Sequence, residues 1–150
     1  MITGTTTYFS NLGVAISNPY RSSHAGIYVQ PFKLSVEDFE PATQSFIPRR
    51  VVFEFVLADR SKLDEKSRVE AELTFKVFIR DSDLEEGETI DDLNIGYWKG
   101  NDWVNFEDEE IFVERWRLRP SPLVIDDVNY IGYFKLTKPF SGDPSIAVGK

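Results

Sequence analysis

The strongest constraint on the fold is the regular alternation of apolar and polar residues in the segment VEAELTFKVFI, residues 69–79. Successive side chains of a β-strand point to opposite faces, so this pattern predicts a strand with one buried and one mostly solvated face. The residues expected to point inward are Val69, Ala71, Leu73, Phe75, Val77 and Ile79. The other face is expected to carry Glu70, Glu72, Thr74, Lys76 and Phe78.

Similar patterns recur along the chain. In RRVVFEFVL, residues 49–57, Val51, Phe53, Phe55 and Leu57 are expected to point inward. The second face is expected to be partly covered because it carries Val52 and Val56. Further strands are predicted at 5–10, 12–17, 26–34, 92–98, 103–107, 110–118, 129–137 and 145–149. Helical signal is limited to one turn each at 35–39 and 61–66, and prolines mark turns and sheet edges. The sequence therefore predicts an all-β fold, an antiparallel β-sandwich or jelly roll of about ten short strands.

Length and composition narrow the class of protein. A chain of 150 residues suits a single domain, here residues 1–150, and the absence of cysteine excludes disulfides and thiol chemistry. The net charge of −8 disfavours nucleic-acid and membrane partners. No signal peptide or membrane-spanning segment is recognisable. We expect synthesis in the cytoplasm, with assembly into a virion or surface structure left open.

The stretch IGYWKGNDWV, residues 95–104, predicts a β-hairpin that turns at Gly100 and Asn101. With this turn, Trp98 lies opposite Trp103. Alternation places one apolar set in the core: Leu93, Ile95, Tyr97, Val104 and Phe106. It places Asn94, Gly96, Trp98, Trp103 and Asn105 together on the other face.

Two interpretations of the tryptophan pair remain open. Cross-strand aromatic pairs stabilise a hairpin, so the pair could fix the register or lie beneath a loop. Alternatively, the rings form an exposed platform for a protein or a glycan, with Tyr97, Asn94 and Asn105 as neighbours. Gly96 favours access because it leaves space on that face. The segment resembles Tyr-Trp-x-Gly-x-x-Trp-Val hairpins that occur in surface, tail-fibre and accessory β-domains of more than one family.

Charged residues are concentrated in two places. The stretch DSDLEEGETIDD, residues 81–92, is rich in carboxylates, and Asp81, Asp83 and Glu85 are weak candidates for a cation site. It lacks the EF-hand pattern, so a solvated acidic loop is the simpler expectation. In RWRLRP, residues 115–120, the arginines share one side of a strand and Trp116 points to the other. Arg115 and Arg117 are expected to pair with Glu70 and Glu72 or with a neighbouring subunit.

Nothing in the sequence indicates a common catalytic site. His24 is the single histidine, and no nucleophile elbow, zinc-binding histidine pair or phosphate-binding loop is present. No cofactor is expected. The leading hypothesis is a non-catalytic structural or assembly subunit, such as a virion, tail, fibre or surface-layer component, which forms homo-oligomers or a larger assembly. The alternative is a carbohydrate-binding module that uses Trp98 and Trp103, with Tyr97 or Tyr133, as its stacking surface.

Overall fold

The computed structural model describes residues 6–9, 13–17, 25–30, 36–41, 45–59, 71–108, 111–118, 123–140 and 145–150. Within these ranges the chain forms eleven strands and several single 3₁₀ turns. No helix among the described residues is long and apolar enough to cross a membrane. The helical turn predicted at 61–66 lies outside the described residues, whereas the turn predicted at 35–39 is present as a 3₁₀ turn at Val36–Asp38.

One sheet has six strands. They are β1 (Thr6–Phe9), β2 (Val14–Ser17), β5 (Ala71–Arg80), β8 (Glu114–Arg117), β9 (Leu123–Ile125) and β10 (Val128–Phe140). The spatial order is β1-β2-β5-β10-β8, and β9 also pairs with β10. β8 and β9 both pair with β10 on the side away from β5, so they lie end to end along one edge of the sheet.

The second sheet has five strands. They are β3 (Ala25–Gln30), β4 (Pro48–Asp59), β6 (Asn94–Trp98), β7 (Trp103–Asn105) and β11 (Ser145–Gly149). Their order is β3-β4-β11-β6-β7, and every pairing in both sheets is antiparallel. The predicted all-β sandwich is therefore confirmed.

The main core lies between the sheets. The six-stranded sheet contributes Val14, Ile16, Phe75, Val77, Ile79, Phe134 and Leu136. The five-stranded sheet and its connections contribute Val52, Ile90, Leu93, Ile95, Tyr97, Phe106, Val113, Ile146 and Val148. Phe75, Val77 and Ile79 are fully buried, as the alternation in residues 69–79 predicts. Burial of apolar surface at about 25 cal/mol per Å² makes this cluster the main stabilising element of the fold.

The prediction for the start of β4 is wrong by one residue. Val52 lies in the main core, whereas Val51 packs on the outer side of the sheet. Ile146 of β11 pairs with Phe53, but the next residue, Ala147, pairs with Val51. This irregularity inserts an extra residue into β4, and a β-bulge of this kind interrupts the alternation of side chains.

Candidate functional site

The predicted register of the tryptophan hairpin is confirmed. β6 and β7 pair Trp98 with Trp103 and Tyr97 with Val104. The Lys99 N–H donates to the Asp102 carbonyl across the turn at 2.9 Å, and Gly100 has a φ of +97°, a conformation that favours glycine. The two indole rings meet edge to face, with centroids 5.3 Å apart.

The expectation of an exposed platform is wrong for Trp103, which is only 1% exposed. As predicted, the pair lies on the face opposite the main core, but that face is covered. Phe39 and Phe46 pack on Trp103 with centroid distances of 4.8 and 6.2 Å, and Phe39 also contacts Trp98 at 5.1 Å. Together with Val51 and Ala147 these residues form a second, smaller core, here called the outer cluster. The loop-covered interpretation of the hairpin is thus the correct one.

Gly96 makes room for the Phe46 ring that covers this face of the hairpin. A Cβ atom at Gly96 would lie 2.9 Å from the Phe46 ring and 2.9 Å from the Val104 carbonyl oxygen. Such contacts are shorter than real Cβ atoms tolerate, so the space left by the missing side chain is filled by the Phe46 ring. The prediction that Gly96 leaves this face open is therefore wrong.

The other residues predicted around the hairpin have structural partners. Tyr97 is buried in the main core and its ring lies 4.8 Å from that of Phe106. Asn105 is buried, and its side-chain oxygen accepts the Glu107 N–H at 2.9 Å. The half-buried Asn94 accepts a hydrogen bond from Arg115 at 2.6 Å. None of the three contributes to an exposed platform in the described structure.

The part of the chain that covers the hairpin is held in place at Ile47, directly after Phe46. Ile47 and Lys150 exchange two backbone hydrogen bonds, of 3.0 and 2.9 Å. The Glu88 carboxylate accepts from the Arg49 guanidinium at 2.5 and 3.0 Å and from the Lys150 ammonium at 3.0 Å. Hydrogen bonds from Arg49, from the Glu85 N–H and from Lys150 hold the pKa of Glu88 well below its usual range. Glu88 thus bonds a residue on each side of the Ile47–Lys150 backbone pair: Arg49, which is close to Ile47 in the chain, and Lys150 itself.

Part of the acidic stretch at 81–92 is paired with cations within the chain. Asp83 is buried and its two oxygens accept from the Arg50 guanidinium, each at 2.8 Å. One of those oxygens also accepts the Arg80 backbone N–H at 2.9 Å. Asp81 and Glu85 remain exposed. Among the described residues, no three potential metal ligands converge, so the weak cation candidates Asp81, Asp83 and Glu85 are not brought together as a site.

The two arginines of β8 connect the sheets on one side of the sandwich. Arg115 donates to the Leu93 carbonyl at 3.0 Å and pairs with Glu107 at 2.6 Å, while its guanidinium lies over the Phe134 ring at 5.4 Å. Arg117 pairs with Asp91. The predicted pairing with Glu72 is wrong, because β10 separates β8 from β5, whereas Glu70 lies outside the described residues.

The exposed aromatic surface lies elsewhere, on the outer face of the six-stranded sheet. Trp116 is directly opposite Tyr133 in the β8–β10 pair and is 47% exposed. The two rings are nearly parallel, at 16°, with centroids 6.1 Å apart. Ring contacts continue from Tyr133 to Phe78 at 5.5 Å and from Phe78 to Tyr130 at 6.0 Å. The Lys76 ammonium lies 5.3 Å from the centre of the Tyr133 ring.

Large apolar side chains extend this surface along the sheet edge. Phe112, just before β8, is 78% exposed, and Leu123 and Val124 of β9 are also exposed. Next to Phe112, a shallow groove of about 290 Å³ is lined by Glu114, Lys135, Leu136 and Thr137 as well. Leu123 lies opposite Tyr130 and so shares the outer face, whereas Val124 points to the other face of the strand. We call the set Phe112, Trp116, Leu123 and Tyr133 the Trp116 surface.

Sequence reasoning places Trp116 opposite the arginines but does not identify this surface. One signal was available, since Phe78 is the single aromatic residue on the otherwise polar face of residues 69–79. The pairing of β10 between β5 and β8 brings Phe78, Tyr133 and Trp116 into one row. That row depends on the order of distant strands, which no local pattern predicts.

Comparisons with protein-family models, with curated proteins and with solved structures found no match. His24 lies outside the described residues.

Proposed function

We propose that this protein is a non-catalytic assembly subunit that binds a second copy of itself through the Trp116 surface. The observation that carries the proposal is the exposure of several large apolar side chains along one sheet edge. Of the six exposed large hydrophobic residues in the described part of the chain, Phe112, Trp116, Leu123 and Val124 belong to this edge. Large exposed apolar side chains grouped along one edge of a folded protein are typical of an interaction site.

The composition of the surface supports a protein partner. Interfaces commonly have an apolar centre and a polar rim, and tryptophan and tyrosine are enriched among the residues that dominate binding energy. Trp116 is held by the Tyr133 ring and donates its indole N–H to Glu114 at 3.2 Å. A side chain that is already ordered loses less conformational freedom on binding, which favours affinity.

Charge complementarity supports a second copy as that partner. Lys76 and Lys135 lie next to each other on the outer face beside Tyr133. The chain as a whole carries a net charge of −8, and Asp81, Glu85 and Glu86 are exposed in the acidic stretch. The lysines of one copy can therefore meet the acidic stretch of another, and opposite charges of this kind fix orientation and accelerate association.

The proposal is tested by light scattering on the purified chain over a concentration series. We expect the average mass to rise with concentration, and Trp116→Ala to weaken association about 30-fold, as expected for a hot-spot loss of about 2 kcal/mol. Tyr8→Ala is the matched control because Tyr8 is also an exposed aromatic residue, on the opposite edge strand of the same sheet. Association is also expected to weaken as salt concentration increases.

A monomer at every concentration would refute self-association through this surface. Equal weakening by Trp116→Ala and Tyr8→Ala would instead place the contact elsewhere or indicate non-specific aggregation.

The second candidate function is carbohydrate binding at the same place. It is favoured by the nearly parallel rings of Trp116 and Tyr133 and by polar groups further along the same face, including the Thr74 and Thr137 hydroxyls, which are 2.8 Å apart. Aromatic faces of this kind present apolar surface beside polar groups that can bond sugar hydroxyls. Titration with cellohexaose, chitohexaose and maltohexaose should then change tryptophan fluorescence in the wild type but not in Trp116→Ala. A flat response to all three sugars would count against this candidate.

A further inference from the structure

β8 forms an edge of the six-stranded sheet, since it pairs with β10 and with no other described strand. The Leu118 N–H donates to the Ile131 carbonyl at 2.9 Å, and this bond fixes the direction of the backbone groups along β8. In an antiparallel pair, hydrogen-bonded and non-hydrogen-bonded residues alternate. The backbone of Trp116 therefore bonds β10, whereas the N–H and C=O groups of Arg115 and Arg117 point away from the sheet.

The side chains of β8 do little to protect this edge. Natural proteins commonly block a sheet edge with a proline, a bulge or a charged side chain, because its backbone groups can bind another strand. β8 contains no proline. Its two arginines reach towards the other sheet, where Arg115 bonds the Leu93 carbonyl and Glu107, and Arg117 bonds Asp91. Backbone groups that point outward from such an edge are suited to binding a strand.

The backbone pattern of β8 is complementary to itself. If two copies of β8 run antiparallel about a twofold axis at Trp116, Arg115 of one copy lies opposite Arg117 of the other. The outward N–H and C=O groups of these residues then bond each other. Arginine faces arginine in this arrangement, and the bound carboxylates of Glu107 and Asp91 offset the repulsion. Trp116 meets Trp116 of the second copy in a non-hydrogen-bonded pair, with Cα atoms about 4.5 Å apart.

The register centred on Trp116 also gives the best pair of side chains. Registers centred on either neighbouring arginine keep the same backbone pattern but place Trp116 opposite Glu114 or Leu118. Cross-strand aromatic pairs are stabilising, and side chains approach most closely in non-hydrogen-bonded pairs. In addition, the row of Phe78, Tyr133 and Trp116 ends at this edge. The register centred on Trp116 continues that row directly into the row of the second copy.

We propose that two copies of this chain join edge to edge through β8, antiparallel and with the twofold axis at Trp116, to form one sheet that continues through both copies. This inference rests on the proposed self-association through the Trp116 surface and specifies its register. Because a twofold contact uses the same edge of both copies, it closes on itself and gives a dimer and not a filament. The mass at high concentration should therefore level off at twice that of the chain.

Disulfide cross-linking tests the register, because the chain contains no cysteine of its own. In the proposed dimer, residue 114 of one copy lies directly opposite residue 118 of the other, within the Cα distance that a disulfide spans. Two residues 114 lie four positions apart, or about 13 Å. An oxidised equimolar mixture of Glu114→Cys and Leu118→Cys should therefore give the mixed dimer by mass spectrometry. Each variant alone should give at least about tenfold less cross-linked dimer.

Two substitutions at one position test the backbone bonds. Arg117→Pro and Arg117→Ala both remove the pair with Asp91, but only proline removes the outward N–H. Proline is tolerated at an edge position whose N–H does not bond the sheet, so β8 keeps its pairing with β10. In light scattering, Arg117→Pro should associate at least about tenfold more weakly than Arg117→Ala.

The outcomes separate this inference from the proposed function. A chain that is monomeric at every concentration overturns both. A dimer that Trp116→Ala weakens, but that gives no mixed cross-link, overturns the edge pairing and leaves self-association through the Trp116 surface standing. Equal weakening by Arg117→Pro and Arg117→Ala, or a mass that rises beyond that of a dimer, also overturns the edge pairing.

Discussion

Two cross-strand aromatic pairs in this protein lie on the outer faces of their sheets, but only one of them is covered. Trp98 and Trp103 face each other on the outer side of the five-stranded sheet, and Trp116 and Tyr133 face each other on the outer side of the six-stranded sheet. The first pair is covered by Phe39 and Phe46, and Trp103 is fully buried. The second pair remains open to solvent, with Trp116 about half exposed. Strand parity determines the face of a sheet on which a side chain lies, but not whether that face meets water.

The difference lies in what crosses each face. Phe39 and Phe46, which lie between β3 and β4 in the chain, pack on the outer side of the five-stranded sheet, and Ile47, next to Phe46, is hydrogen-bonded to Lys150. Over the Trp116 pair, the described contacts come from within the six-stranded sheet, from Phe78, Lys76 and Glu114. We therefore expect substitutions in the first region to change stability and substitutions in the second to change binding.

The largest expected contrast is between Trp103→Ala and Trp116→Ala. Removal of a fully buried large aromatic side chain costs about 3–5 kcal/mol of unfolding free energy, because it leaves a cavity in the outer cluster. Loss of the half-exposed Trp116 should cost at most about 1 kcal/mol, since surface substitutions have small effects. Urea unfolding of both variants measures the difference. Similar losses for the two variants would mean that the pairs are not distinct in burial.

Gly96→Ala tests whether the cover is packed closely on the hairpin. The added methyl group meets the Phe46 ring and the Val104 carbonyl oxygen, so we expect a destabilisation of about 1–3 kcal/mol. The measurement is the midpoint of chemical unfolding. Gly87→Ala cannot serve as the control, because the positive φ of Gly87 would add backbone strain of its own. Ala147→Gly offers a control in the same cluster with less volume instead of more. Unchanged stability for Gly96→Ala would show that Phe46 moves aside freely.

Phe39→Ala should expose the Trp98–Trp103 pair to solvent, as the Trp116–Tyr133 pair already is. Phe39 is half-buried and contacts both Trp98 and Trp103, so its loss should cost about 1–2 kcal/mol and expose the indole rings. Acrylamide quenching of fluorescence, in a background of Trp116→Phe, measures that exposure. The quenching constant should increase relative to the same background with Phe39 intact, and no increase would mean that Phe39 does not shield the rings.

The smallest expected effect is a loosening of the cover in acid. The folded-state pKa of Glu88 is lowered, so its bonds to Arg49 and Lys150 stabilise the fold above the ordinary value of 4.5 and weaken as pH falls below it. Quenching of Trp103, followed in a Trp98→Phe, Trp116→Phe background, should increase over that range. Glu88→Gln should already show higher quenching at neutral pH and a smaller change in acid. A pH profile identical to that of the parent would rule out a role for Glu88 in the attachment.

Local patterns predicted much of the fold because they depend on chain geometry alone. The alternation in residues 69–79 identified β5 and its buried face, and the Gly100 and Asn101 turn gave the pairing of Trp98 with Trp103. The same reasoning failed at Val51 and Val52, where a bulge interrupts the alternation. It also assigned wrong partners to Arg115 and Arg117, because charge pairing depends on which strands are neighbours in space.

By itself, the sequence determined the sandwich class, most strands and the face on which Trp98 and Trp103 lie, since side chains alternate along a strand. Only the tertiary structure decided which pair is covered. The positions of Phe39 and Phe46 over the hairpin and the row formed by Phe78, Tyr133 and Trp116 both join residues far apart in the chain. Such contacts follow from strand order and loop path, and these are set by packing of the whole chain.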